Sequence, residues 1–320
     1  MKALANKASK QNTVKSSQIF GDYLIMMIAP CAVAVWHYGA SMLSVLAVSV
    51  LTALVCDFAA SAVIGGSFRL KDFSNIFIGA AIAMMMPAGV PLYIPASASA
   101  FAVIAAKIPF GGALHAPFVP AAAGFAFVSV CFKEQVFSYA VNTADKFLGS
   151  NSLGALLARG NSVRLNAANV FEILSGNVAG PMGTGCVILM LSCCAYLFVR
   201  RKKALLATAG FIAACAVYAA CFPRINASPL TSIVLELSAG SLLFAAVFLV
   251  TDHATMPRKS VNRVIYGAVC GVFCMIMRAV GVYEEAVCFA ILLANGMRPV
   301  LDASVNAITS FSFKRKEAVK

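Results

Sequence analysis

The sequence predicts an all-α integral membrane protein with about ten transmembrane helices, arranged as two five-helix inverted repeats with both termini in the cytoplasm. Hydrophobic residues make up 61% of the chain and charged residues 12%, and the mean hydropathy is +0.87. Soluble domains average about 45–50% apolar and about 25% charged residues, so a soluble core cannot bury this excess. The spacing of the apolar runs and the placement of the basic residues predict the helix count and the orientation.

Ten apolar windows are long enough to enter a bilayer, which a full helix crosses with about 20 residues. The third and fifth windows are short and bounded by prolines, which is typical of half-helices enclosed by protein rather than by lipid. The windows lie at about 19–38, 41–65, 73–87, 90–108, 117–132, 184–199, 203–222, 230–251, 261–280 and 284–302.

These windows divide the chain into five parts. The first apolar window follows a segment with four lysines and no apolar h-region, so we expect it to be a retained span rather than a signal peptide. The five parts are a basic N-terminal segment (1–17), a first five-helix half (18–132), an extracytoplasmic loop (133–183), a second five-helix half (184–303) and a basic tail (304–320).

The basic residues predict the orientation. With a cytoplasmic N-terminus and ten spans, 19 of the 25 Lys and Arg residues fall on the inner side and 6 on the outer side. Short cytoplasmic loops carry this excess of positive charge in membrane proteins. The net charge of +13 therefore indicates orientation and attraction to the anionic lipid bilayer, and we expect no nucleic-acid partner.

The prediction of an inverted repeat depends on a weak sequence similarity between the two halves. Five spans precede the long loop and five follow it, so similar halves would be inserted in opposite directions. DFSNIFIGAAIAMMMP (72–87) and ELSAGSLLFAAVFLVTD (236–252) both begin acid-x-Ser, and both are third in their halves. Repeats of this kind place ligand or ion sites near the midplane, where broken helices meet.

Three acidic residues are candidates for an ion path, because acids within a membrane are costly and are kept for function. Asp57 and Glu236 fall well inside predicted spans, and Asp252 lies at a span end. For Glu236 the alternative is a solvated helix end with no role in transport.

No metal site is predicted. Most of the eleven cysteines lie in apolar runs, where free Cys is a common packing residue, although Cys270 and Cys274 share a helix face. His115 and His253 are isolated loop histidines without a second ligand at metal spacing. The segment SGNVAGPMGTG (175–185) is a tight turn or, alternatively, an anion site at a helix start, and we do not expect a self-contained hydrolase.

Several stretches together resemble one family, the D subunit of the Rnf-type electron-transport complex and its relative NqrB of the sodium-pumping quinone reductase. The stretches are SAGSLLFAAVFLVTDHAT, NRVIYGAVCGVFCMIMRAVGVYEEAVCFAILLANGMRPVLD, DFSNIFIGAAIAMMMPAGVPLYIPASASAFAVIAAK, FGGALHAPFVPAAAGFAF and SGNVAGPMGTG. The resemblance covers roughly residues 18–303. It implies a membrane subunit that passes electrons through flavin while its complex moves Na⁺ or H⁺.

The resemblance also implies FMN attached through its phosphate to a threonine of the outer loop, within a motif of the form Asp-Gly-x-Ser/Thr-Gly-Ala-Thr. Asp145 and Gly149 fit that motif, but Asn151 stands at the acceptor position, and an amide cannot form a phosphoester. Ser150 and Ser152 flank it, and Ser152 is preferred because it leaves the turn from Asp145 to Gly149 in register. Riboflavin is the alternative cofactor. Further flavin-binding candidates, from the family's Gly-Asn-x-x-Gly turn, are Gly176, Asn177 and Gly180.

The family further implies partner subunits, among them an extracytoplasmic flavoprotein, and the cytoplasmic (inner) membrane of a bacterium or archaeon. The chain carries no iron–sulfur ligand set and no nicotinamide fingerprint, so we expect a translocase subunit without a complete active site of its own. Two alternatives stay open: a secondary transporter of five-plus-five topology, and a scaffold subunit of the same fold that has lost its flavin.

Overall fold

The structure is a computed structural model. It describes residues 2–64, 72–139, 152–158, 173, 180–224, 228–281 and 286–317, with the helical positions 2–15, 155, 156, 158 and 306–317 described by their backbone alone. Every regular element in these ranges is a helix. The predicted all-α class is confirmed.

The described part of the first half contains five helices. A glycine in the left-handed region, Gly39 with φ of +58°, separates the first two, and Pro120 occupies the first turn of the fifth, where its missing N–H costs nothing. The helices are α1 (Lys2–Tyr38), α2 (Ala40–Ile64), α3 (Ser74–Met85), α4 (Tyr93–Ile104), followed by a 3₁₀ turn (Ile108–Phe110), and α5 (Pro120–Cys131).

Two short helices, α6 (Lys133–Val136) and α7 (Leu153–Ala158), lie in the segment between the halves. The second half then contains α8 (Val187–Arg200), α9 (Lys202–Cys221), α10 (Pro229–Ser238), α11 (Leu242–Phe244) with a π-helical continuation (Ala245–Leu249), α12 (Ser260–Val280) and α13 (Ala286–Glu317).

The window predicted as one span at 230–251 is broken in the structure. The axis bends by 74° between α10 and the 242–249 segment. Gly240, with φ of +61°, lies at the break and reaches a backbone region that other residues rarely adopt. The sequence shows an apolar run here, and apolar periodicity does not report a change of axis.

Among the described residues, six helices are long and apolar enough to cross a membrane, and the bent pair formed by α10 and residues 242–249 makes a seventh. The helices α3, α5 and α8 are apolar but only 12 to 14 residues long. Length and composition therefore support a multi-pass membrane protein. The six long spans are Ser16–Tyr38, Ala40–Ile64, Tyr93–Phe110, Lys202–Cys221, Ser260–Val280 and Ala286–Val305.

The short helix α3 and the 242–250 segment are the most deeply buried elements. Eleven of the twelve residues of α3 are buried, and every residue from Leu242 to Val250 is buried. Helices enclosed on all sides need not span a bilayer, because neighbouring protein satisfies their ends. Large apolar side chains such as Trp36, Val63 and Val280 are exposed instead, as expected of a surface that faces lipid.

Candidate functional site

The Lys107 cluster, formed by Lys107, Asp57, Asp72, Asn75 and Ser16, joins the first four helices. The side chain of Lys107 is only 3% exposed, and its Nζ lies 3.1 Å from Asp57 Oδ1 and 3.6 Å from Asp72 Oδ2. Nζ also donates to Asn75 Oδ1 at 2.5 Å, and Ser16 Oγ donates to Asp72 Oδ1 at 2.8 Å. The ammonium is therefore surrounded by oxygen atoms, as a buried charge requires.

The electrostatics of the cluster act on Asp72, which lies in the α2–α3 connection. Burial alone would raise the pKa of this carboxyl group. The Lys107 ammonium and the hydrogen bonds from Ser16 and Ser74 outweigh burial and hold the pKa below its usual value. Asp72 is therefore ionised at neutral pH.

The Glu236 cluster, formed by Glu236, Arg224 and Arg278, lies where α10 ends. Glu236 Oε1 is 2.9 Å from Arg224 Nε, and Oε2 is 3.4 Å from Arg278 Nη1. The side chains of Glu236 and Arg278 are each 2% exposed. The interpretation of Glu236 as a solvated helix end is thus wrong, because two arginines rather than water neutralise its charge.

Arg278 also compensates for the break after α10. Its Nη1 donates to the backbone oxygen of Glu236 at 2.9 Å, and its Nη2 donates to that of Ala239 at 2.8 Å. The last carbonyls of a helix have no partner within the helix, and at membrane depth each unsatisfied group is expensive. The guanidinium supplies the donors that the broken helix lacks.

A cationic cavity of about 370 Å³ forms a third polar feature. Three arginines and two histidines line it: His115, His253, Arg258, Arg263 and Arg298. Arg263 Nε donates to the Pro257 oxygen at 2.7 Å, and Arg298 Nη1 donates to the Ala254 oxygen at 2.7 Å. The sequence suggested two isolated histidines, but the fold brings both to one cavity, which suits an anionic ligand.

Asp252, one of the three predicted ion-path residues, lies beside this cavity and is 3% exposed. Burial raises the pKa of its carboxyl group to about 6, although hydrogen bonds from the backbone of Ala254 and His253 and the charge of Arg201 lower it. Next to it, the Tyr23 hydroxyl donates to the backbone oxygen of Thr251 at 2.5 Å. The raised pKa brings the titration of this buried carboxyl group closer to neutral pH.

The structure brings Asp57 into the Lys107 cluster, Asp252 beside the cavity and Glu236 against two arginines, so the three predicted ion-path residues occupy separate places. Lys107 itself was missed as a site residue, because the sequence presents it as one more basic residue at a span end. Its partner Asp57 is 50 residues away, and no local pattern joins the two.

Most of the predicted flavin residues lie outside the described residues: Asp145, Gly149, Ser150, Asn151, Gly176 and Asn177. Ser152 is described and is 6% exposed, immediately before α7. The helix α7 packs against α10. The described residues around Ser152 therefore lie near the arm of the broken span that carries Glu236.

The described part of the glycine-rich turn, which begins at Gly180, binds the end of α3. The N–H groups of Met182 and Gly183 donate to the oxygens of Met86 and Met84 at 3.0 and 2.9 Å. A Cβ at Gly183 would lie 2.6 Å from Met84 Cβ, an atom that cannot move without its backbone, so glycine favours this approach. These N–H groups satisfy protein carbonyls, which favours the tight-turn interpretation over an anion site.

Cys270 and Cys274 are buried and form no disulfide bond, and they lie among the apolar core residues. Within the described part of the chain, no group of three or more His, Cys, Asp or Glu side chains is placed to hold a metal ion.

Comparison with known proteins gives a consistent result over nearly the whole chain. The model of the NQR2, RnfD, RnfE family matches residues 4–309. A protein of Halorhodospira halophila, named as the D subunit of an ion-translocating oxidoreductase complex, is 28% identical over 311 residues, which cover 87% of each chain. Proteins of the same name from Ectopseudomonas mendocina (28% identity, 90% of each chain) and Salmonella arizonae (26% identity, 93% of this chain and 95% of the relative) are also similar.

Proposed function

The chain belongs to the NQR2, RnfD, RnfE family, and from this premise we propose that it is the membrane subunit of an Rnf-type ion-translocating electron transport complex. In this function electrons pass by way of flavin, and the complex moves Na⁺ or H⁺ across the membrane. The observation that carries the proposal is the family match over residues 4–309 of a multi-pass helical chain. Other subunits supply the electron input, because the sequence has neither an iron–sulfur ligand set nor a nicotinamide fingerprint.

For the topology we propose ten membrane-inserted elements in two inverted halves, with both termini in the cytoplasm. The charged clusters support this arrangement. In the first half, Asp72, just before the third helix (α3), pairs with Lys107, just after the fourth (α4). In the second half, Glu236 in the third helix (α10) pairs with Arg278 near the end of the fourth (α12). The contacts between the halves join corresponding helices. The first helix of one half, α1, packs against the first of the other, α8, and the fifth, α5, packs against the fifth, α13. A two-fold relation between the halves gives this pattern.

The proposed ion path uses Asp57 and Asp252, with Glu236 in an electrostatic role. Asp252 has a pKa of about 6, which suits a group that exchanges a proton at neutral pH. Asp57 is 20% exposed and borders a buried cation. Glu236 is held by two arginines, so its charge positions these arginines instead of carrying a mobile ion.

A covalent flavin fits poorly to the residues of the outer loop. Asn151, at the family's attachment position, has no hydroxyl oxygen, and Ser152 is almost buried. Covalent FMN therefore does not fit at residue 151, and attachment at Ser152 requires its buried hydroxyl to become exposed. No step of the proposed function passes through a covalent flavin.

A flavin held without a covalent bond, FMN or riboflavin, fits the cationic cavity better. A volume of about 370 Å³ lies in the range of ligand pockets, roughly 300–1,000 Å³. Flavin supplies one- and two-electron chemistry when bound, and nearby charge tunes it. Arg258, Arg263 and Arg298 would hold the phosphate of FMN, and with either flavin their positive charge would favour the anionic reduced form.

The partners in this proposal are the other subunits of the complex, including an extracytoplasmic flavoprotein that meets the outer segment near α7. The location is the inner membrane of a bacterium or archaeon. The missing acceptor oxygen at Asn151 favours a second candidate function, a scaffold subunit of the same fold without flavin.

The test uses membrane vesicles from cells that carry the whole complex. Deleting this chain should abolish ion uptake driven by an electron donor, and supplying the chain again should restore it. Affinity purification of the tagged chain should recover the partner subunits and flavin. Ion uptake without any electron donor would instead support a secondary transporter, and recovery of the complex without flavin in this chain would support the scaffold.

A further inference from the structure

The cationic cavity carries more positive charge than the acidic residues around it offset. Arg258, Arg263 and Arg298 line it, and none of the described lining residues is acidic. One carboxylate approaches from outside the lining, because Asp302 Oδ2 lies 3.7 Å from Arg298 Nε. The three arginines and this carboxylate leave a net positive charge, which attracts anionic ligands into the cavity.

Two guanidinium groups in this region have donor atoms that the protein does not use. Nη1 of Arg263 and Nη1 of Arg201 are buried and have no hydrogen-bond partner among the described residues. The two charges are close enough to act on each other, and Arg201 also acts on the Asp252 carboxylate beside the cavity. Buried N–H groups are normally hydrogen-bonded. A phosphate oxygen in the cavity would give the Arg263 guanidinium, whose fork suits phosphate, an acceptor.

The cavity lies at the level where membrane helices meet the lipid headgroups. Asn262, in the first turn of α12, donates to Asp302 of α13, so the start of α12 is level with the last turn of the apolar span Ala286–Val305. Beside the arginines, Val261 of α12 and Val300 of α13 are 57% and 62% exposed. Exposed apolar side chains next to positive charge are what the boundary between headgroups and acyl chains requires.

We propose that the cationic cavity binds the phosphate of an anionic phospholipid from the adjacent leaflet, whose acyl chains lie along the exposed apolar side of α12 and α13. Basic pockets between membrane helices hold anionic headgroups in this way. The lining selects a headgroup without positive charge, such as phosphoglycerol. The ammonium of a phosphocholine headgroup would instead meet arginines, and like charges repel.

FMN carries a phosphate of the same chemistry, and the proposed function places a flavin in the same cavity. The two ligands would compete for Arg258 and Arg263. Only the lipid also needs the exposed apolar side chains of α12 and α13. The lipid site goes beyond the proposed function, because a lipid binds this chain whether or not partner subunits are present.

The test uses the purified full-length chain in detergent, without partner subunits. Phosphatidylglycerol or phosphatidylcholine is added in increasing amounts, and native mass spectrometry and thermal unfolding are recorded. We expect the wild type to retain phosphatidylglycerol in preference to phosphatidylcholine. Its unfolding temperature should rise with the logarithm of the phosphatidylglycerol concentration, as ligand linkage requires. FMN and inorganic phosphate are titrated in parallel to identify the source of the phosphate.

Arg258→Gln is the first variant, because this side chain is exposed and its loss leaves the packed core unchanged. We expect its apparent affinity for phosphatidylglycerol to fall about tenfold, the scale of one lost hydrogen bond to a charged group. Arg263→Gln should weaken binding at least as much. Lys203→Gln is the matched control, since it removes an exposed positive charge at the start of α9, outside the cavity lining, and should bind like the wild type.

Equal effects of phosphatidylglycerol and phosphatidylcholine on the wild type would overturn the inference. An equal loss of affinity in Lys203→Gln and Arg258→Gln would do the same, because surface charge rather than the cavity would then attract the lipid. Stabilisation by FMN or inorganic phosphate, with none by phosphatidylglycerol, would assign the cavity to a soluble phosphate ligand and reject the lipid.

These measurements involve no electron donor, so their failure is distinct from failure of the proposed function. Selective lipid binding without ion uptake in vesicles would reject the proposed function and keep the lipid site. Donor-driven ion uptake without selective lipid binding would reject the lipid site alone.

Discussion

At the scale of single residues, the chemistry of position 151 bears on whether the proposed flavin could be attached covalently. A phosphoester needs a hydroxyl oxygen, and the Asn151 side chain offers an amide instead. Ser152 offers a hydroxyl, but it is only 6% exposed and begins the segment that packs on α10. At this position the chain departs from the family motif in the one atom that a phosphoester requires.

We predict that the wild-type chain carries no covalent flavin. A denaturing gel should show no flavin fluorescence in its band, while denaturation of the purified complex should release flavin into solution. Asn151→Thr, expressed with the flavin transferase, should give a fluorescent band, because it restores the missing oxygen without changing the register from Asp145 to Gly149.

Ser152→Ala is the control for this prediction. A fluorescent wild-type band that disappears in Ser152→Ala would place the attachment at Ser152 and contradict the prediction. A dark band in Asn151→Thr, with the transferase active on another substrate, would show that the loop has lost more than an oxygen atom.

The residues that sequence reasoning found and missed differ in a physical way. Glu236, Asp57 and Asp252 were identified because an acid within or beside an apolar run is conspicuous. Lys107 was counted only toward orientation, because its role depends on partners brought together by the fold. The arginines of the cationic cavity were also counted only toward orientation, because basic residues in loops normally indicate which side of the membrane a loop occupies.

At the scale of elements, a close helix–helix contact in the second half joins α9 to α12. The sequence GAVCG places Gly267 and Gly271 four residues apart on α12, and Gly210 lies on the facing surface of α9. A Cβ at Gly267 would lie 2.0 Å from the Ala207 backbone oxygen, and a Cβ at Gly271 would lie 2.6 Å from that of Phe211. Small residues at this spacing let membrane helices approach closely without a hydrophobic driving force.

We predict that Gly267→Leu destabilises the protein by about 1–3 kcal/mol, the usual cost of overpacking a well-packed core. The obstacle is backbone rather than a flexible side chain, so α9 and α12 must separate. Thermal unfolding of the purified protein in detergent measures the effect.

Gly296→Ala is the matched control, because Gly296 also lies in a membrane helix, and its added Cβ would meet only Phe118 Cε1 at 3.8 Å. That variant should be as stable as the wild type or slightly more stable, since alanine favours the helix. Equal stability of Gly267→Leu and the wild type would show that α9 and α12 are not held at the distance described.

At the scale of the whole molecule, composition and hydropathy were enough to predict an all-α membrane protein. The apolar environment of a bilayer selects for apolar side chains along every span, so the signal is spread over the whole sequence. The same signal could not show that α10 and α11 are separated by a sharp bend, or that α1 and α13 extend beyond their apolar windows. The bend depends on a distant partner, Arg278, whose guanidinium binds the carbonyls at the break.

The orientation of the molecule can be tested by the accessibility of cysteines. Ser152 lies in the predicted outer loop, but because it is buried it would be a poor reporter. Glu134, which follows α5, and Lys203, at the start of α9, are both exposed. With both termini in the cytoplasm and residues 133–183 outside, these two positions lie on opposite sides of the membrane.

We predict that Glu134→Cys reacts with a membrane-impermeant maleimide in intact cells, whereas Lys203→Cys reacts only after the cells are opened. The eleven native cysteines require a readout by peptide mass spectrometry, and cleavage after Lys133 separates residue 134 from the exposed native Cys131. The reverse labelling pattern would show that the protein has the opposite orientation, with the cationic cavity and the Lys107 cluster on the outer face. Labelling of both positions in intact cells would contradict the single crossing by α8 between them, and the five-plus-five arrangement with it. If the predicted pattern is found, the excess of positive charge, the cationic cavity and the Lys107 cluster share the cytoplasmic side.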